Sequence, residues 1–279
     1  EVELGLMRAE TETLNAGFFL KERAGRPLVT LKLATSLDGR IATRTGASQW
    51  LTGEHARARG HWLRATHDAV MIGSGTASTD DPALTCRLPG LQDRSPVRIV
   101  LDRRLRLPPT GKLAATAREV PTWVMTGSPA DPARAGPLRA QDVELIETLA
   151  NDDEGLDLKS ALATLAGRGI TRVLVEGGAG LATSLLRARL VDRLAWFQAP
   201  ILVGGDGLAA IGALEHETVA EAIRLARAQS QTLAQDTLQT YIVQAEGGPC
   251  SPASSPTSAG SSRSPQTPPA AASDPKVGG

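Results

Sequence analysis

The sequence predicts an α/β sandwich with a sheet in the middle and helices packed against it. Three observations lead there. Short apolar runs suited to strands alternate with helical stretches from about residue 29 to residue 243. The stretch VLVEGGAGLATSLL, Val173 to Leu186, runs from a strand through a glycine turn into a helix. Apolar residues make up 41% of the 279 residues and aromatics only 3%, so the core must come mainly from Leu, Val, Ile and Ala. A chain of this length holds one large domain or two small ones.

The elements follow in order. Residues 1–26 read as a helical lead-in, with Met7, Leu14 and Phe18 spaced for one helical face and Gly25 and Pro27 ending it. Val29, Leu31 and Leu33 alternate with Thr30, Lys32 and Ala34, a strand pattern. Asp38-Gly39 signals a hairpin turn, with Ile41 to Thr43 returning. Thr52 is placed to cap a helix that has Glu54 in its first turn and runs to about Ala65. Further strands are expected at 69–72, 97–101, 122–125 and 143–146. Leu158, Ala161, Leu162 and Leu165 form a helical stripe capped by Asp157, with Gly167 and Gly169 near its end. Then come a strand at 173–175, the glycine turn with a helix to about Ala188, strands at 194–197 and 201–203, a helix over 218–228, and a last strand at 238–243. From Gly247 to Gly279 the chain is Pro, Ser, Ala and Gly with almost no large apolar residue, a composition too poor in burial to offset ordering entropy; residues 247–279 are expected to be a disordered tail.

Composition also excludes classes. Lys+Arg and Asp+Glu stand at 30 each, without the basic excess of a bulk nucleic-acid binder. Cys86 and Cys250 lie far apart, which argues against a disulfide framework and for a reducing compartment. No apolar run approaches the roughly 20 residues needed to span a bilayer, and no signal peptide is visible. The chain begins at Glu1 rather than Met, which points to a piece of a longer product.

Several motifs could carry chemistry, each beside a plainer reading. In Glu176-Gly177-Gly178-Ala179-Gly180, glycines would let a phosphate approach backbone N–H groups at a helix N-terminus, or would serve an ordinary strand-to-helix connection. The pattern is not the G-x-G-x-x-G of a Rossmann fold. Asp80-Asp81-Pro82 reads as a tight turn with Asp81 held extended by the proline. Its carboxylates could support metal or acid–base work, or could cap backbone donors. Arg87 could grip a phosphate or be solvated, and Arg64 suits the end of its helix without any function. Lys32, at a polar position of an apolar strand, must meet solvent or a ligand. His55, His61 and His67 are six apart, which does not keep them on one helical face, and Cys86 is isolated, so no metal site is expected. No G-x-S-x-G elbow supports a serine hydrolase.

Taken together, KLATSLDGRIA from Lys32, Ser48-Gln49-Trp50, Gly73, TASTDDPALTCR from Thr76 to Arg87 and VEGGAGLATS from Val175 to Ser184 resemble the reductase domain of the bifunctional riboflavin-biosynthesis deaminase–reductase. The resemblance extends more loosely from about Pro27 to Gln244, so the domain is set at residues 27–246. The lead-in, with Leu14-Asn15 and Gly17-Phe18-Phe19, resembles the junction after the family's zinc deaminase domain, whose own H-x-E and P-C-x-x-C signature is absent.

The resemblance implies a dihydrofolate-reductase-like three-layer sandwich with a mixed central sheet. It implies NADPH-dependent reduction of 5-amino-6-(5-phosphoribosylamino)uracil to the ribitylamino product. Ala34, Trp50, Thr76 and Asp80 would contact the cofactor; Gly178, Ala179, Gly180, Leu181, Ala182, Thr183 and Ser184 would hold its phosphates; Arg103 would neighbour the 2′-phosphate. Ser48, Arg64, Leu84, Arg87 and Glu176 map onto substrate positions, and Lys32 is the candidate catalytic group. Ile201 stands where the family often has lysine. A cytoplasmic homodimer is expected, with a small phosphorylated pyrimidine as ligand, no nucleic-acid or membrane partner, and a deaminase domain preceding Glu1 as an option. The competing readings are a related pteridine or pyrimidine reductase and a regulatory domain that binds NADPH without oxidising it.

Overall fold

The computed structural model describes residues 5–127, 129–150 and 155–244. The expected tail at 247–279, with Cys250, lies outside the described residues. Two short helices, α1 (Arg8–Leu14) and α2 (Ala16–Ala24), lead into β1 (Leu28–Thr35), β2 (Arg40–Ala42), α3 (Glu54–Ala65), β3 (Ala69–Gly73), α4 (Ser74–Asp80) and β4 (Val97–Leu101). Next come α5 (Lys112–Ala115), β5 (Thr122–Gly127), α6 (Pro132–Arg139), β6 (Glu144–Thr148), α7 (Leu158–Gly167), β7 (Arg172–Val175) and α8 (Ala179–Arg187). The chain continues through β8 (Arg193–Gln198), β9 (Leu208–Ala209), β10 (Leu225–Leu233) and β11 (Asp236–Val243).

The main sheet runs β10-β11-β8-β1-β7-β3-β4-β5-β6. Pairing from β8 through β6 is parallel, whereas β11 runs antiparallel to both β8 and β10, so the sheet is mixed. The inner parallel strands β7, β3 and β4 bury both faces, which explains why they read as continuous apolar runs, whereas the edge strand β6 exposes Glu144 and Glu147. Along β3, Ala69 and Met71 join the core under α7 and α8, while Val70 and Ile72 join the core that includes Ala77, Leu113 and Leu138 of α4, α5 and α6. Three layers result. Among the described residues no helix is long and apolar enough to cross a membrane.

Most strands fall where the apolar pattern puts them, and Asp157 caps α7 through its side chain to Ser160 N at 2.7 Å. Other expectations are corrected. The lead-in is two helices broken at Asn15, and Met7, Leu14 and Phe18 are all exposed. The cap of α3 is Gly53, not Thr52, whose carbonyl instead accepts from Arg57 Nη1 at 2.9 Å. The Asp38-Gly39 turn forms, with Gly39 at φ +76°, but the returning β2 pairs with β9 rather than with β1. Residues 201–203 form no strand; Asp38 holds them, its carboxylate accepting from Val203 N at 3.1 Å and Gly204 N at 2.7 Å.

The helix expected over 218–228 is a 3₁₀ turn at Val219–Glu221 followed by β10, because β11 offers a partner through the tight turn between Leu233 and Asp236. Residues 74–80 form α4, which ends at the expected turn of Asp80-Asp81-Pro82. Asp81 is left-handed (φ 38°) rather than extended, since its Oδ1 accepts from Lys112 N at 2.7 Å and its carbonyl from Lys112 Nζ at 3.1 Å. The next residues are fixed from below by Arg98 of β4. Its fully buried guanidinium donates to the carbonyls of Ala83 (3.3 Å), Thr116 (2.9 Å) and Val120 (2.6 Å).

Candidate active site

Lys32 lies on the face of β1 that also carries Thr30 and Ala34, opposite the face where Leu31 and Leu33 enter the core. Phe197, in register with Ala34 on β8, places its ring centroid 5.7 Å from Lys32 Nζ, within cation–π range. Glu176 follows the last residue of β7, the neighbouring strand. Its side chain is only 9% exposed, and its oxygens accept from Arg64 Nε at 2.6 Å and Nη2 at 2.9 Å, a bidentate pair. Lys32 Nζ stands 3.7 Å from Glu176 Oε2. Burial alone would raise the Glu176 carboxyl, but Arg64 and Lys32 outweigh it and hold the group down to about 2. One buried carboxylate thus orders two cations from β1 and α3.

This cluster opens into a cleft of about 740 Å³ at the carboxyl ends of β1, β7 and β3, the edge where parallel sheets place ligands. Lys32, Ala34, Ser48, Thr76, Asp80 and Glu176 line it, together with Gly178 through Leu181. Partial burial raises the Asp80 carboxyl above its ordinary range. The glycine turn forms one wall. Gly178 is the extended N-cap of α8, its N–H donates to Thr76 Oγ1 at 3.1 Å, and the helix ladder begins only with Ala182 N to Gly178 O. The N–H groups of Ala179, Gly180 and Leu181 precede that ladder and are available to an anion. A Cβ on Gly177 would lie 2.9 Å from Leu181 Cδ2 and 3.1 Å from its Cβ. Gly177→Ala is therefore expected to displace the first turn of α8 and weaken binding of a phosphorylated cofactor by about tenfold, at a stability cost of about 1–3 kcal/mol, readable by fluorescence titration and thermal melts.

A second groove of about 470 Å³ continues from the cleft past Gly73, Gly75 and Leu181. Arg103, Arg104, Arg106 and Ser184 line it beside Leu101, Leu156 and Leu158. Arg103 Nη1 is buried without a hydrogen-bond partner, a donor set for an acceptor that a ligand would bring. Arg106 Nη2 donates to Ser74 Oγ at 2.7 Å, so it is already oriented.

Several residues singled out in the sequence stand elsewhere. Trp50 is exposed and stacks with the Arg57 guanidinium, 4.7 Å from its ring centroid. The side chains of Leu84 and Ala182 belong to the core. The Thr183 hydroxyl is engaged twice, donating to Ala179 O and accepting from Gly212 N, both at 2.7 Å. Arg87 is exposed beside His61. Sequence reasoning passed over His61, Arg106, and the β2–β9 ribbon that brings Ile41, Ala42, Leu208 and Ala209 to the cleft.

Residues 27–239 match the family described as RibD C-terminal domain. The chain belongs to the RibD C-terminal domain family. The riboflavin biosynthesis protein RibD of Bacillus amyloliquefaciens is 41% identical over 205 residues, covering 74% of this chain and 54% of that protein. The 2,5-diamino-6-ribosylamino-4(3H)-pyrimidinone 5′-phosphate reductase of Methanothermobacter thermautotrophicus is 37% identical over 220 residues, covering 78% of this chain and 99% of that protein. The crystal structure of a diaminohydroxyphosphoribosylaminopyrimidine deaminase/5-amino-6-(5-phosphoribosylamino)uracil reductase from Thermotoga maritima superposes with a TM-score of 0.71 at 28% identity, over 86% of this chain and 63% of that one. The chain therefore spans a little over half the length of the Bacillus RibD but nearly all of the Methanothermobacter reductase. Its glycine turn and Lys32–Glu176–Arg64 cluster both lie inside the part matched to the RibD C-terminal domain.

Proposed function

We propose that this chain reduces 5-amino-6-(5-phosphoribosylamino)uracil to 5-amino-6-(5-phosphoribitylamino)uracil in riboflavin biosynthesis, with NADPH as reductant. The carrying observation is the Lys32–Glu176–Arg64 cluster facing the glycine turn across one cleft. The Methanothermobacter relative is named a reductase of a closely similar ribosylamino-pyrimidine phosphate and is matched over almost its whole length.

The residues fit the cofactor. The first turn of α8 would take its phosphates, Ala34, Thr76 and Asp80 would flank it in the cleft, and Arg103 with its unpaired Nη1 would take the 2′-phosphate. Bound there, the nicotinamide supplies a hydride for C1′ of the sugar. Lys32 Nζ donates a proton to the ring oxygen as the ribose opens, and Glu176 fixes that ammonium and the Arg64 guanidinium relative to one another. That proton and one hydride complete the reduced ribitylamine, and Lys32 recovers its proton from solvent. Ser48, Arg64 and Arg87 hold the substrate, the arginines being suited to its 5-phosphate. In this reading Trp50, which is exposed, meets the cofactor, and Leu84, whose side chain is buried, serves the substrate through its backbone. The reading also carries domain limits of 27–246 and a cytoplasmic homodimer, with a deaminase domain before Glu1 as an option.

The test is oxidation of NADPH, beside NADH, with the phosphoribosylaminouracil substrate. Turnover that prefers NADPH is the expected result. Binding of NADPH without oxidation would refute the substrate or the chemistry. Arg103→Ala is expected to raise KM for NADPH about tenfold or more while changing KM for NADH less than twofold. Equal effects on both cofactors would remove Arg103 from the 2′-phosphate.

A further inference from the structure

His61 stands one turn before Arg64 on α3, and the two share an acceptor. His61 Nδ1 lies 3.1 Å from the Thr85 carbonyl oxygen, and Arg64 Nη1 donates to the same oxygen at 3.0 Å. A carbonyl only accepts, so this contact assigns the ring proton to Nδ1. The Arg87 backbone N–H is also 3.4 Å from Nδ1, but a lone pair there would face the closer Thr85 oxygen. In the neutral ring, Nε2 is then an acceptor. The group facing it is Arg87, whose Nε lies 3.4 Å away, at the long end of a hydrogen bond. Partial burial first, then Arg64 and Arg87, lower the His61 pKa, against the opposing pull of Glu176 and the Thr85 carbonyl. The neutral form is thereby favoured.

We infer that His61 is a positioning residue for Arg87: its Nε2 lone pair engages the Arg87 Nε–H and leaves the four Nη–H donors for an oxyanion, the substrate's phosphate. This rests on the reading that Arg87 binds that phosphate. It extends the substrate site by a residue that touches neither substrate nor cofactor. The single hydrogen bond fixes the rotation of an otherwise exposed guanidinium, which is what bidentate recognition of a phosphate requires.

Two substitutions separate the ring's two contacts. His61→Asn keeps an N–H donor near the Nδ1 position for Thr85 and removes the acceptor for Arg87. His61→Gln places an amide oxygen near the Nε2 position and gives up the Thr85 contact. These variants, Arg87→Ala and the His61→Asn/Arg87→Ala pair would be compared in KM and kcat for the phosphorylated substrate. Binding of ribose 5-phosphate would be measured by calorimetry as a readout independent of turnover. Arg87→Ala is expected to raise KM about 10- to 100-fold and His61→Asn about 5- to 20-fold, with kcat within about twofold. His61→Gln stays near wild type, the pair is no worse than Arg87→Ala alone, and affinity for ribose 5-phosphate falls in step with KM. Damage from His61→Gln with a silent His61→Asn would overturn the inference and make His61 a support for the Thr85 segment. A silent His61→Asn beside a damaging Arg87→Ala would overturn it while leaving the phosphate reading intact. A silent Arg87→Ala would overturn both.

Discussion

Glu176→Gln is expected to lower stability by about 3–5 kcal/mol, because it leaves two cations beside a buried neutral amide, and to reduce kcat/KM by about 100-fold or more. Its carboxylate is the common partner of Arg64 and Lys32, at 2.6 and 3.7 Å. Loss of the charge releases both groups at once, from a helix and a strand that share no other ion pair with it among the described residues. The pH dependence has a definite sign. The folded carboxyl titrates at about 2, below its ordinary value of 4.5. Its contribution is therefore complete above the unfolded value and disappears as pH falls from about 5 towards 2. Urea unfolding of wild type and Glu176→Gln across that range should show the gap between them closing with acid. A gap that stays constant would mean that the carboxylate's charge does not hold the cluster.

Lys32→Ala is the second large effect and separates chemistry from folding. Its removal leaves the bidentate Arg64–Glu176 pair in place, so Tm should move by only a few degrees. Loss of the proposed proton donor should lower kcat by about 10²- to 10⁴-fold, while Kd for NADPH changes less than about threefold. Pre-steady-state oxidation of NADPH, with cofactor binding followed by fluorescence, reads the two quantities separately. Wild-type turnover in this variant would exclude Lys32 from the reaction, whatever becomes of Glu176.

Much of this architecture is written locally. Strands buried on both faces appear as short apolar runs, and the glycine turn is visible because Gly177 and Gly178 follow such a run with only Glu176 between. The errors arise where a distant partner decides. Strand β10, LARAQSQTL, is largely exposed and polar, and only its pairing with β11 makes it a strand. The residue before Pro82 would be extended by its own sterics, yet Lys112, thirty-one positions away, engages Asp81 in a left-handed conformation. Helix α6 did carry a local sign, Asp131 capping with Pro132 at the first helical position. In the site, Glu176 and Lys32 are legible as unusual polar residues at strand ends and faces. The pairing of Arg64 with Glu176 across 112 positions is not. His61 is obscured for a different reason: histidines compared with one another show no common face, whereas the groups that matter to this one are an arginine and a carbonyl.

The order of strands has a kinetic consequence. Strand β7, late in the chain, lies between β1 and β3. Lys32 comes from β1, Arg64 from the helix leading into β3, and Glu176 from the end of the inserted strand. The earlier segments can collapse, but they bring together two cations with no anion between them until β7 is threaded into its slot. Closing so long a loop is slow relative to local folding. Catalytic competence therefore waits on the insertion of β7, and recovery of activity during refolding should lag behind recovery of helical signal.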